Sequence, residues 1–142
     1  ELGADHTLVA DQEDVVARVH SLTGGRLADV VLDVTGSPQA IQASVQLVRR
    51  QGTLVLGGLT GKATITGLPL DHLVWNEIRL QGVYTKGADA IAAAHHFLAT
   101  RGHRYPLERM VSHVYPLAEA EQAIRAAGGA AGDQFIKAAI TP

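Results

Sequence analysis

Apolar residues recur along this chain in two rhythms, one at helical spacing and one in short β-branched runs, and the two alternate. Val15, Val16, Val19 and Leu22 fall on one helical face, with Glu13 and Asp14 ahead of them where the amino end of a helix favours acids. This predicts a helix over residues 12–22, stopped by Thr23-Gly24-Gly25. The run Ala28-Asp29-Val30-Val31-Leu32-Asp33-Val34 then reads as a strand buried on both faces. Thr35-Gly36-Ser37-Pro38 turns the chain, with Ser37 suited to cap a helix and Pro38 to its first turn. Ile41, Val45 and Val48 predict a helix over 39–50, closed by Gln51-Gly52.

A second buried strand, Thr53-Leu54-Val55-Leu56, ends in the small residues Gly57-Gly58-Leu59-Thr60-Gly61, where the backbone can approach another group closely. Beyond a short helix over 71–76, Ile78-Arg79-Leu80-Gln81-Gly82-Val83-Tyr84 mixes polar and apolar positions as an edge or interface strand does. An Ala-rich helix over 89–100 stops at Arg101-Gly102. A strand over 111–115, a helix over 118–127 opened by Pro116-Leu117, and a last strand over 135–140 complete the order. Helix and strand alternate, so the fold class is α/β with a parallel sheet. At the other end, Glu1-Leu2-Gly3-Ala4-Asp5-His6 reads as a helix already closing, followed by a short strand from Thr7 to Ala10. No methionine precedes it, and the expectation is a truncated polypeptide.

Composition narrows the chemistry. The 142 residues suffice for one main domain, and 46% hydrophobic residues with only 4% aromatic imply an aliphatic core suited to helices layered on a sheet. A formal charge of −2 with scattered Lys and Arg gives no basic field, which argues against nucleic acid. No apolar run approaches the roughly 20 residues of a membrane span, so a soluble, cytoplasmic protein is expected. The chain has no cysteine, which removes disulfides, thiolate metal sites and cysteine nucleophiles together.

The candidate side chains are few. His95 and His96 are adjacent on a helix, about 100° apart, so they cannot ligate one ion from the same face; a solvated face is the simpler reading. His103 and His113 lack partners at ligand spacing, and His20-Ser21 has no spaced acid for a triad. Asp29 and Asp33 share a strand face; Asp29 is expected at its exposed start and Asp33 near the carboxyl end, where α/β folds bind ligands. Trp75 reads as a packing residue at a helix end or interface.

Several pieces in order carry a resemblance: residues 28–37 and the helix after them, then Gly52-Thr53-Leu54-Val55-Leu56-Gly57-Gly58, then Asn76-Glu77-Ile78-Arg79-Leu80-Gln81-Gly82. Val114-Tyr115-Pro116-Leu117-Ala118-Glu119-Ala120 and the stretch from Gly132 to Ile140 continue it. Together they resemble the medium-chain zinc-dependent alcohol dehydrogenase family, whose relatives include sorbitol and threonine dehydrogenases. The resemblance implies a truncated Rossmann-type parallel sheet, the family's third to sixth strands, with helices on both faces and a helix-strand tail returning to the catalytic domain. Residues 1–87 would be the partial cofactor-binding domain and 88–142 the tail. No G-x-G-x-x-G occurs in the chain, so the turn that seats the pyrophosphate has no match. The zinc ligands of the family have none either.

What the resemblance assigns here is one wall of a site for NAD or NADP. Thr35 and Gly36 resemble the loop beside the adenosine, Gly57, Gly58 and Leu59 the stretch facing the nicotinamide, and Val83, Tyr84 and Thr85 the stretch closing over it. Lys137 stands where the family often has a basic residue near the pyrophosphate. For each glycine a tight strand-to-helix turn is the plainer reading. In the family strand order 3-2-1-4-5-6 the first two strands would be absent, so the strand from Thr7 to Ala10 is expected to pair with 28–34, giving four parallel strands, or to recruit another chain. The implied partners are a second copy through the edge from Ile78 to Tyr84 and an amino-terminal segment. The implied function is the carboxy-terminal part of an alcohol or polyol dehydrogenase, inert alone. The alternatives are a non-catalytic dimerisation or nucleotide-binding module, and part of a zinc-free quinone-reductase relative.

Overall fold

The computed structural model describes residues 3–61, 64–84, 87–130 and 135–142. The chain divides into two compact units, His6–Lys86 and a second made of Glu1–Asp5 with Gly87–Pro142.

In the first unit, Asp14 caps α1 (Val15–Leu22), its side chain accepting from Ala17 N at 3.0 Å. β1 (Ala28–Asp33) is followed by α2 (Pro38–Leu47), capped by Ser37 with Pro38 in its first turn, as the sequence pattern predicts. β2 (Val48–Leu56), α3 (Leu70–Trp75) and β3 (Arg79–Gly82) complete the unit. The three strands are parallel in the order β1-β2-β3, with Val31 opposite Leu54 and Leu54 opposite Leu80. Val45 of α2 and Val48 and Leu54 of β2 form the buried centre, and Val31, Leu56, Leu68, Leu73 and Ile78 pack around it. Full burial of such a side chain stabilises by about 1.5–3 kcal/mol.

Four expectations are corrected in this unit. Residues 7–10 form no strand: the Val9 carbonyl accepts from Gln12 N and Glu13 N, and the Glu13 carboxylate accepts from Val9 N at 2.9 Å, so a local turn satisfies this backbone before any sheet can. The sheet is therefore three-stranded, not four-stranded, and β1 is its edge. β1 is not buried on both faces, since Val30 is 62% and Leu32 61% exposed. α2 ends at Leu47 and not at residue 50. Val48 is buried in the strand opposite Ala28, while Arg49 and Arg50 reach across to Asp29 and Glu77. Gln51, at φ +60°, turns the chain where the β1–β2 register shifts. Trp75, expected to pack, is 75% exposed at the end of α3.

The second unit holds α4 (Ala88–Arg101), closed by Gly102, whose N–H bonds the carbonyls of Leu98 and Phe97. β4 (His113–Pro116) pairs in parallel with β5 (Ala138–Thr141), and α5 (Ala120–Arg125) lies between them in sequence, with Ala123 and Ala126 buried. The expected helix over 118–127 thus begins as a 3-10 turn, Leu117–Glu119, before α5. The elements are α/β with parallel sheets, as the alternation of the two rhythms predicts. No helix among the described residues is long and apolar enough to cross a membrane.

Ion pairs gather at the amino ends of the first unit's strands. Arg49 Nε lies 2.5 Å from Asp29, which Arg26 also reaches at 3.1 Å, and Arg50 lies 2.6 Å from Glu77. The hydrogen bond from Arg49 holds the Asp29 carboxyl below its ordinary range, helped by the charges of Arg49 and Arg26. Bonds from Arg50 and then Gln51 do the same for Glu77. A carboxylate whose folded value is depressed contributes stability above its unfolded value and loses it as pH falls through the folded one. Denaturant unfolding at successive acidic pH values should therefore show stability declining from the ordinary carboxylate range downward. The variant Arg49→Gln,Arg50→Gln should show a shallower decline. Because these groups are exposed the effect is small and shrinks in high salt.

Candidate functional site

The carboxyl ends of β1 and β2 carry loops of small residues, and the sequence places glycine where the two loops collide. Gly36 sits at φ +67°, in the left-handed region, and a Cβ there would lie 2.2 Å from the Leu59 carbonyl oxygen. A Cβ on Gly58 would lie 2.2 Å from Gly36 N and 2.7 Å from the Val34 carbonyl carbon. The two loops therefore abut backbone to backbone. Gly57 differs: a Cβ there would make only ordinary contacts, 3.5 Å from Val83 Cγ2 and 3.6 Å from the Asp33 carbonyl oxygen.

Hydrogen bonds tie the same residues. Gly57 N and Gly58 N both donate to the Asp33 carbonyl, at 2.7 and 3.3 Å, and Val83 N donates to the Leu56 carbonyl at 2.9 Å. Thr35 Oγ1 donates to the Asp33 carboxylate and accepts from Ser37 N at 3.0 Å. Leu59 is 74% and Tyr84 78% exposed, and Val83 is also exposed, so apolar surface surrounds a polar, backbone-built seam. In an open parallel sheet this is the end at which ligands bind.

Of the residues singled out in sequence, Thr35, Gly36, Gly57, Gly58, Leu59, Val83 and Tyr84 all lie at this end of the first unit. Thr85 lies outside the described residues. Lys137 belongs to the second unit, where its backbone is fixed: Lys137 N donates to Ser112 Oγ at 3.2 Å, and its carbonyl accepts from Ser112 N at 2.9 Å. Asp33 was legible only by position; its role as the loop's acceptor is the part that sequence reading missed. The available signal was an acid two residues before a threonine and three before a glycine, the spacing of a side-chain-to-backbone turn.

Asp29 and Asp33 do separate tasks, one in exposed ion pairs at the start of β1 and the other buried at its end. His95 and His96 are exposed on α4. Among the described residues no three of His, Asp and Glu gather as a metal site. The described residues thus offer no cluster that fits a zinc ion. A hollow lined by Leu98, Tyr105, Pro106, Leu107, Arg104 and Glu108 belongs to the second unit and contains none of the wall residues.

A parallel sheet with glycine loops at the carboxyl ends of adjacent strands defines an α/β domain of Rossmann-like type. The model of one family, the zinc-binding dehydrogenases, matches residues 1–100, and the chain belongs to that family. Sorbitol dehydrogenase of Gallus gallus is 33% identical over 126 residues, covering 87% of this chain and 34% of the relative. L-threonine 3-dehydrogenase of Caldanaerobacter subterraneus is 30% identical over 122 residues, covering 84% of this chain and 34% of the relative. The structure of an alcohol dehydrogenase from Thermotoga maritima superposes with a TM-score of 0.87 at 22% identity, over 99% of this chain and 38% of that one, a likeness of fold. The chain spans about a third of the length of the curated relatives it matches.

The contrast between neighbouring glycines is directly testable. Gly58→Ala and Gly36→Ala should each cost more than about 1 kcal/mol in urea unfolding, because backbone has to move. Gly57→Ala should cost less than either. Equal losses at all three positions would show that the loops do not abut.

Proposed function

We propose that this chain carries one wall of the nicotinamide-cofactor site of a zinc-type alcohol or polyol dehydrogenase. The observation that supports the reading best is the pair of interlocked glycine loops at the carboxyl ends of β1 and β2, flanked by the exposed side chains of Leu59, Val83 and Tyr84. On this reading Thr35 and Gly36 face the adenosine half of NAD or NADP, and Gly57, Gly58, Leu59, Val83 and Tyr84 the nicotinamide half. Lys137, in the second unit, is assigned to the pyrophosphate by the family resemblance alone. Residues 1–87 are then the partial cofactor domain and 88–142 the tail that returns to a catalytic domain.

The cofactor, when bound, accepts hydride from an alcohol. The residues of this chain bind and orient it and exclude water from one side. They supply neither a pyrophosphate turn, since no G-x-G-x-x-G is present, nor a cysteine ligand for zinc. On this reading the chain by itself binds without catalysing. The similarity to sorbitol and threonine dehydrogenases favours a hydroxylated small molecule as substrate of the complete enzyme.

A second reading, a dimerising module, is favoured by one feature: β3 is an edge strand whose residues are all exposed. Two copies would pair through the edge from Ile78 to Tyr84 and join their sheets.

Titration of the chain with NADH separates the readings. Trp75, the only tryptophan, should lose emission to the reduced nicotinamide, with a dissociation constant in the micromolar range by calorimetry. No heat and no energy transfer at millimolar NADH, together with a dimer in light scattering, would replace the cofactor reading with the module.

A further inference from the structure

Asp33 ends β1 with only 5% of its surface exposed, and both its side chain and its main-chain carbonyl accept hydrogen bonds. Its carboxylate accepts from Thr35 N at 3.1 Å and Gly36 N at 3.2 Å, and Thr35 Oγ1 lies 3.2 and 3.1 Å from its two oxygens. Its main-chain carbonyl accepts from Gly57 N and Gly58 N. The side chain thus shapes the loop after β1, and the main chain of the same residue holds the loop after β2. Between them, Gly36 and Gly58 are fitted so closely that neither loop can shift without displacing the other.

We propose that Asp33 is the positioning residue of this wall: a buried joint that makes one surface of two loops. It touches no ligand; it acts through Thr35, Gly36, Gly57 and Gly58. The carboxyl group matters because it offers two acceptor oxygens, and Thr35 Oγ1 lies within 3.2 Å of both. An asparagine would replace one of the two oxygens with a donor where Thr35 Oγ1 now bonds. Asparagine keeps one oxygen for the Thr35 and Gly36 amides, so it weakens the loop after β1 without releasing it. Because the loops interlock, 57 and 58 loosen as well, although their own bonds run to a main-chain atom that no substitution removes. The proposal depends on the cofactor-wall reading only for what the surface binds.

The test compares the full chain with Asp33→Asn and Thr35→Val, following amide hydrogen exchange by NMR and NADH binding by calorimetry. The expected result is faster exchange, by about tenfold, at Thr35, Gly36, Gly57 and Gly58 together, with Leu54 in the sheet centre unchanged. NADH affinity should fall by about the same factor in Asp33→Asn. Faster exchange at Thr35 and Gly36 alone would overturn the joint. Equal acceleration at Leu54 would reduce Asp33 to general stability and overturn it too. Should Asp33→Asn fail to fold, Thr35→Val, at an exposed position, should show the same pattern more weakly, and no change at the four amides would count against the proposal. If the unsubstituted chain does not bind NADH, the cofactor reading fails, and the exchange pattern still decides whether Asp33 is the joint.

Discussion

The abutment of two loops, Gly36 against Leu59 and Gly58 against Gly36, is the constraint on which the rest of this structure depends. It requires β1 and β2 to be parallel neighbours in the observed register, because only then do both loops leave the sheet at the same end. It requires glycine at two positions for steric reasons that have nothing to do with a ligand. It also requires a buried acceptor beneath it, which Asp33 supplies from its side chain and main chain.

The sheet consequently has two unlike ends. At the amino ends, guanidinium and carboxylate groups meet in exposed pairs, Arg49 with Asp29 and Arg50 with Glu77, where water screens them and they contribute little. At the carboxyl ends the Asp33 carboxyl lies beneath the loops, and the apolar side chains of Leu59, Val83 and Tyr84 are exposed. The small core around Val45, Val48 and Leu54 serves mainly to hold α2 against β1 and β2 so that this end keeps its shape.

The helices and strands were legible wherever local chemistry decides them. Ser37-Pro38 marked the start of α2, Gly102 the end of α4, and Thr53-Leu54-Val55-Leu56 the carboxyl-terminal part of β2. The failures share a cause: contacts distant in sequence. Nothing local tells Val48 to join a strand when its helical spacing from Ile41 and Val45 is good; the cross-strand partners of Arg49 and Arg50 draw it there. The apolar run at 7–10 looked like a strand, yet the nearby Glu13 bound its backbone first. The exposure of Val30 and Leu32 is equally invisible to a pattern that reports only that a face is apolar. At the candidate site the glycines were legible as tight turns. Their packing against each other was not, since it arises only when two strands are paired.

The central claim is that residues 35–36 and 57–58 behave as one rigid surface. Backbone relaxation and proton–proton NOE measurements on the chain in solution test it most directly. The account predicts order parameters near the roughly 0.85 of rigid backbone for Thr35, Gly36, Gly57 and Gly58, with NOEs between the Gly36 and Gly58 α-protons. Order parameters below about 0.6 in either loop, or no NOE between them, would contradict it.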